Sequence, residues 1–157
     1  MCFRKQSRVN LDIALCLNDL NDENMGKLSK MSKQELASII INRLYYGVFL
    51  MAKELVQIDE EARDSHIQFW NKVCDYMIDR RISKKHDEYI LNDFFSDITT
   101  LKDMRVVYDY RNQAYLNEES KAIEEIGECF QLKDKIYETL KRYISEKGDN
   151  SEAINQR

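Results

Sequence analysis

The chain has 157 residues, of which 43% are hydrophobic and 33% charged, a globular profile with enough length for one real core, which excludes fibrous and disorder-dominated chains. Its formal net charge of -4 offers no global attraction to nucleic acid, so any RNA contact would have to use a local basic surface. It holds no proline and four glycines, too little punctuation for a fold of tight turns and hairpins but no obstacle to long helices, and an all-α protein is expected.

The N-terminal residues Met1 to Arg8 lead into a mixed helical pattern without the apolar run of a signal peptide, so export is not expected and a cytoplasmic location is. A first helix, about Ser7 to Leu20, carries Val9, Ile13, Cys16, Leu17 and Leu20 at helical spacing. A polar loop follows. The second helix, about 32 to 57, has the clearest start signal in the chain: Ser32 as N-cap, Glu35 three residues later, and Met31 against Leu36 as a hydrophobic staple. Its apolar stretch Leu36 to Val56 is interrupted by Asn42, Arg43, Lys53 and Glu54, which reads as a buried helix and not a membrane span.

A third helix, about 64 to 79, carries Ile67, Phe69, Trp70, Val73, Cys74 and Met77, and a basic turn of Arg80, Arg81, Lys84, Lys85 and His86 follows it. That turn is the densest positive patch in the sequence and a candidate contact for RNA phosphates. The fourth helix, about 87 to 113, places Leu91, Phe94, Ile98 and Leu101 on one face, with Arg105, Tyr108, Asp109 and Asn112 within about 60° of the same direction. A guanidinium and a carboxylate on a core-facing stripe are costly unless partnered, so this stretch is either a buried ion-pair network or the floor of a site. The fifth helix starts near Asn117, carries Ile123, Ile126, Phe130, Tyr137, Leu140 and Ile144, and is expected to stop near Gly148. An antiparallel bundle of about five helices is the economical architecture, with one domain over 1–146 and a flexible tail over 147–157.

Cys2, Cys16, Cys74 and Cys129 are widely separated, which argues against a zinc ribbon or a disulfide framework. Neither His66 nor His86 has a histidine or cysteine at ligand spacing, so no metal and no cofactor is expected. His66 reads most simply as a helix-start residue that bonds locally or to a neighbouring helix.

Three patches resemble the HEPN domains, small helical proteins common in prokaryotic toxin-antitoxin and antiviral loci. Asn42-Arg43-Leu44-Tyr45-Tyr46-Gly47-Val48-Phe49 is similar to an Asn-Arg-x-Tyr-Tyr-Ala-x-Phe signature, with Gly47 in place of alanine. Ser65-His66 before an aromatic helix resembles a Ser/Thr-His segment, and Arg105-Val106-Val107-Tyr108-Asp109-Tyr110 resembles Arg-x-x-Ala-Asp-Tyr, with Tyr108 in place of alanine. The resemblance implies a HEPN-like bundle that forms a homodimer and serves a defence or toxin-antitoxin system.

Catalytic members of that family carry arginine followed, after about four to six residues, by histidine on the helix corresponding to the fourth here. Counting from Arg105, those positions hold Tyr110, Arg111 and Asn112, and tyrosine, with a reference pKa of about 10, is a poor base at neutral pH. A non-catalytic or degenerate subunit is therefore expected. The alternative is a metal-independent ribonuclease in which Arg105 stabilises the phosphorane with a nonstandard partner such as Tyr110. Arg81 to His86 also satisfies the arginine-histidine spacing, but it falls in the connection before the fourth helix.

Arg43 lies near the axis of the second helix's apolar face, and the family fold packs that helix against the fourth. An Arg43 to Asp109 pair flanked by Tyr46 and Tyr110, with Asn112 alongside, is the expected structural or ligand-binding network. Tyr108 or Tyr110 is a candidate acceptor for modification by a partner nucleotidyltransferase, as the resemblance implies.

Overall fold

The computed structural model describes residues 3–19, 33–56, 66–79, 86–110 and 119–154. Five helices occur among them: α1 (Phe3–Asn18), α2 (Lys33–Val56), α3 (His66–Asp79), α4 (His86–Tyr110) and α5 (Glu119–Ile154), with no strand among the described residues. They form an all-α bundle.

α2 is the hub, packing against each of the other four helices. Ala37, Ile40, Ile41, Leu44, Tyr45, Val48, Met51 and Ala52 are all buried on it, and their three- and four-residue spacing makes a wide apolar face. By length and composition Glu35–Glu54 is apolar enough to cross a membrane, but 56% of that window is buried inside the bundle, as suits a central core helix. α2 begins at Lys33, directly after Ser32; the cap and staple residues Ser32 and Met31 lie outside the described residues.

α1 runs antiparallel to α2, Ser7 opposite Gly47 and Asn10 opposite Arg43. Its inward face differs from the expected one. Val9, Ile13 and Cys16 are exposed, whereas Ser7 and Ala14 are buried and Leu11 and Leu17 partly so. The physical reason is close approach: a Cβ on Gly47 would lie 2.4 Å from Leu11 Cδ2, and the buried Ser7 hydroxyl donates to the Gly47 carbonyl at 2.6 Å. Small side chains let the two backbones meet, and the branched residues turn outward.

α4 runs antiparallel to α2 and α5 antiparallel to α4, judged by the pairs Asn42–Asp109, Tyr45–Arg105, Tyr108–Glu125 and Met104–Cys129. Ala122, Cys129, Leu132, Ile136 and Leu140 form the buried stripe of α5, leaving Ile123 exposed; on α3, Phe69, Trp70, Val73 and Met77 face the core and Ile67 does not. α5 also continues past Gly148 to Ile154, where a stop and a tail from 147 were expected. One glycine costs a helix only about 1 kcal/mol relative to alanine, and no proline follows to break the ladder.

Candidate functional site

On α4 the buried stripe Phe94, Ile98 and Leu101 continues one turn later into Arg105 and Asp109. Their side chains are only 12% and 15% exposed and form an ion pair at 3.0 Å, Arg105 Nε donating to Asp109 Oδ2. Four-residue spacing on one helix brings the two together. Burying them requires further partners, and α2 supplies these. Asn42 Nδ2 donates to both carboxylate oxygens of Asp109, at 3.0 and 3.1 Å, and Ser38 Oγ reaches Oδ1 at 3.5 Å.

The Arg105 guanidinium also lies against aromatic rings, 5.2 Å from the Tyr45 centroid and 5.0 Å from that of Tyr46. Contacts of this kind contribute roughly 0.5 to 2 kcal/mol, more as water is excluded. Tyr45 is fully buried, and its hydroxyl accepts a hydrogen bond from Trp70 Nε1 at 3.2 Å and lies 2.7 Å from His66 Nδ1. His66 is the first residue of α3, so this hydroxyl ties α2 to α3 beside Arg105.

The hydrogen-bond pattern assigns the His66 tautomer. The indole N–H of Trp70 can only donate, so the Tyr45 proton needs an acceptor, and among the described residues His66 Nδ1 is the one in range. With Nδ1 accepting, the neutral imidazole carries its proton on Nε2. Burial pushes the His66 pKa below its ordinary 6.5, and the charges of Arg105, Lys102 and Lys53 push it further the same way. At neutral pH the ring is thus uncharged, with Nε2–H facing away from Tyr45. Burial likewise raises the Tyr45 pKa, although the Trp70 hydrogen bond and Arg105 oppose it.

Several sequence candidates meet here and two of the described ones, Arg43 and Tyr108, do not. Arg105, Asp109 and Tyr46 share the cluster. The expected pair of Arg43 with Asp109 does not form: Arg43 is exposed and its Nη1 donates to Asn10 Oδ1 on α1 at 3.1 Å. Residues 42 and 43 sit 100° apart on the helix, and it is Asn42 that faces α4. Tyr108 is buried on the neighbouring side of α4, where its hydroxyl donates to Glu125 Oε2 at 2.5 Å. Burial and that carboxylate raise its pKa well above the ordinary tyrosine range, which disfavours the phenolate that a base or nucleophile would use. The Tyr110 and His86 side chains, Asn112, Arg80, Arg81, Lys84 and Lys85 lie outside the described residues.

Asn42, Tyr45, Trp70 and His66 are members of the cluster that the sequence reading did not assign to it. A signal existed: Ser38, Asn42, Tyr45, Tyr46 and Phe49 recur at helical spacing as a polar and aromatic stripe on α2. Elsewhere, an open cleft between α4 and α5 is lined by Asp93, Asp97, Lys135, Glu138 and Arg142, charges of both signs that include none of these candidates. Among the described residues no group of three or more His, Cys, Asp or Glu side chains is placed to hold a metal ion. Compared with protein-family models, with curated proteins and with solved structures, the chain matches none.

Proposed function

We propose that this protein is a HEPN-like helical module that acts as a dimerising, non-catalytic subunit in a prokaryotic defence or toxin-antitoxin system of the cytoplasm. One observation carries the reading. The three patches on which the resemblance rests lie far apart in sequence, yet Asn42, Tyr45 and Tyr46 from the first, His66 from the second, and Arg105 and Asp109 from the third join in one cluster. The non-catalytic part rests on how Arg105 is held: its Nε is committed to Asp109 and its plane to two rings, and α4 offers no histidine after it. The partner, a nucleotidyltransferase or another component of the same system, and the homodimer follow from the resemblance; light scattering on the purified chain measures the latter.

A second reading, a metal-independent ribonuclease, is favoured by the arrival of His66 beside the Arg105 cluster. Against it, a base needs a free nitrogen lone pair, and the Tyr45 hydroxyl occupies Nδ1 while Nε2 carries the proton. The deciding experiment incubates the wild type, and an Arg105→Ala variant checked for folding by circular dichroism, with total and transfer RNA in EDTA. No cleavage is expected. Cleavage by the wild type but not by the folded variant would overturn the subunit reading in favour of the ribonuclease.

A further inference from the structure

α1 carries two apolar stripes, and the bundle uses one of them. Ser7, Leu11 and Ala14 turn toward α2, whereas Val9, Ile13 and Cys16 lie about 150° around the helix and are exposed. Val9 is 49% and Ile13 38% exposed, and among the described residues α1 packs substantially against α2 alone. The second stripe therefore looks away from the core. A contiguous apolar stripe on an outward face marks a surface that meets another molecule.

The charges beside the stripe indicate what that molecule is. Lys5, Arg8, Asp12 and Asp19 are all exposed, and at helical spacing all four fall on one flank of the stripe, within about 60° of one another. Asp19 follows α1 directly and keeps its turn, its N–H donating to the Leu15 carbonyl at 3.0 Å. The other flank holds the uncharged Gln6 and Asn10. Along the charged flank the basic residues come first and the acidic ones last. Arg8 and Asp12 pair at 3.9 Å within the helix, but both are largely exposed, where water screens the pair and each can meet a further charge.

Such a helix complements its own reversed copy. A two-fold antiparallel pair sets the same flank of each copy against the other in opposite chain direction. With Val9 of one copy opposite Ile13 of the other, Lys5 falls near Asp19 and Arg8 near Asp12, each with an axial offset of about 3 Å. A parallel pair would set the charged flank against the uncharged one and form none of these contacts. We propose that the outward face of α1 is a two-fold, antiparallel self-association surface, with Val9 and Ile13 at its centre and the Lys5–Asp19 and Arg8–Asp12 pairs along one edge. The inference rests on the dimerising part of the proposed function and gives that part a surface. A contact this small belongs to the weak class, dissociating on the order of 10 µM.

Sedimentation equilibrium of the full chain, up to about 100 µM, is expected to show monomer and dimer in exchange. Ile13→Glu, at an exposed position and checked for folding by circular dichroism, is expected to weaken association about tenfold or more. Two charge variants read out complementarity rather than packing. Lys5→Glu with Arg8→Glu makes the flank wholly acidic, and Asp12→Lys with Asp19→Lys makes it wholly basic. Each folded variant is expected to be monomeric alone, and their equimolar mixture to dimerise. A monomeric wild type overturns the proposal, as does a dimer that Ile13→Glu leaves unchanged or a mixture that stays monomeric. Its failure is separable from that of the subunit reading: a dimer indifferent to every α1 variant removes only this surface. RNA cleavage in EDTA by a protein whose dimer Ile13→Glu dissolves removes only the non-catalytic reading.

Discussion

Two faces of α2 solve opposite problems. Toward α1 the contact is built from small residues: Gly47 lets Leu11 come close, and the Ser7 hydroxyl is satisfied by the Gly47 carbonyl. Toward α3 and α4 it is polar and aromatic, with Asn42, Tyr45 and Tyr46 receiving Asp109, His66 and Arg105. The first face gains from packing without voids and needs only shape. The second gains nothing unless every donor and acceptor is matched. A charged pair in a core stripe thus identifies the face where chemistry rather than packing governs the choice of residue.

The comparison can be broken most severely at Asp109. Asp109→Ala leaves the Arg105 guanidinium largely buried without its carboxylate and the Asn42 amide without an acceptor, and is expected to cost about 3 to 5 kcal/mol in urea unfolding. A normally stable variant would show that the cluster is not a lock. On the other face, Gly47→Leu drives a side chain into Leu11 and should cost about 1 to 3 kcal/mol. Gly47→Ala sharpens the point: a gain in helix propensity of about 1 kcal/mol is set against displacing both Cγ and Cδ2 of Leu11, 2.8 and 2.4 Å from the new Cβ, so a net loss of up to about 2 kcal/mol, below that of Gly47→Leu, is expected.

Tyr45→Phe keeps the ring under Arg105 but removes the hydroxyl, leaving the buried Trp70 N–H without its acceptor. A loss of about 1 to 2 kcal/mol is expected, read as a lower midpoint at unchanged slope. His66 adds a pH signature. Its folded pKa lies below the 6.5 of the unfolded chain, through burial first and then Arg105, Lys102 and Lys53. The unfolded chain therefore binds the extra proton first as pH falls. Stability on this account is full above about pH 6.5 and declines as the pH drops through the folded value. Melting curves of His66→Gln should be flatter across that window, and equal slopes would remove His66 from the account. The smallest effect is expected at Arg43→Ala, within about 0.5 kcal/mol, because the side chain is exposed and bonded only to Asn10 among the described residues. A large loss there would restore Arg43 to the core.

Much of this architecture was legible in the residues. Absence of proline, scarcity of glycine and three-to-four-residue apolar spacing were enough for an all-α bundle, because helix formation is local and its punctuation is written in the chain. The anomaly of Arg105 and Asp109 on a core stripe was legible for the same reason. Which face of α1 turned inward was not, since Val9, Ile13 and Cys16 form as regular a stripe as Ser7, Leu11 and Ala14. Hydrophobicity favours the first stripe, and only the glycine on the opposing helix favours the second.

The partner of the buried charges belonged to tertiary structure altogether. Sequence by itself determined that α4 would carry an arginine and an aspartate four residues apart and that they would have to be satisfied. Asn42 and Arg43 are neighbours on one helix, and electrostatics alone selects Arg43 for Asp109. The rotation of α2 in the bundle selects Asn42, because Arg105 already neutralises the carboxylate from its own helix and a second guanidinium would bring excess charge into the cluster. His66 was likewise a lone residue in the sequence, and the crossing of α3 over α2 puts it on the Tyr45 hydroxyl. Periodicity fixes what a helix presents, but only the packing of one helix on another decides to whom.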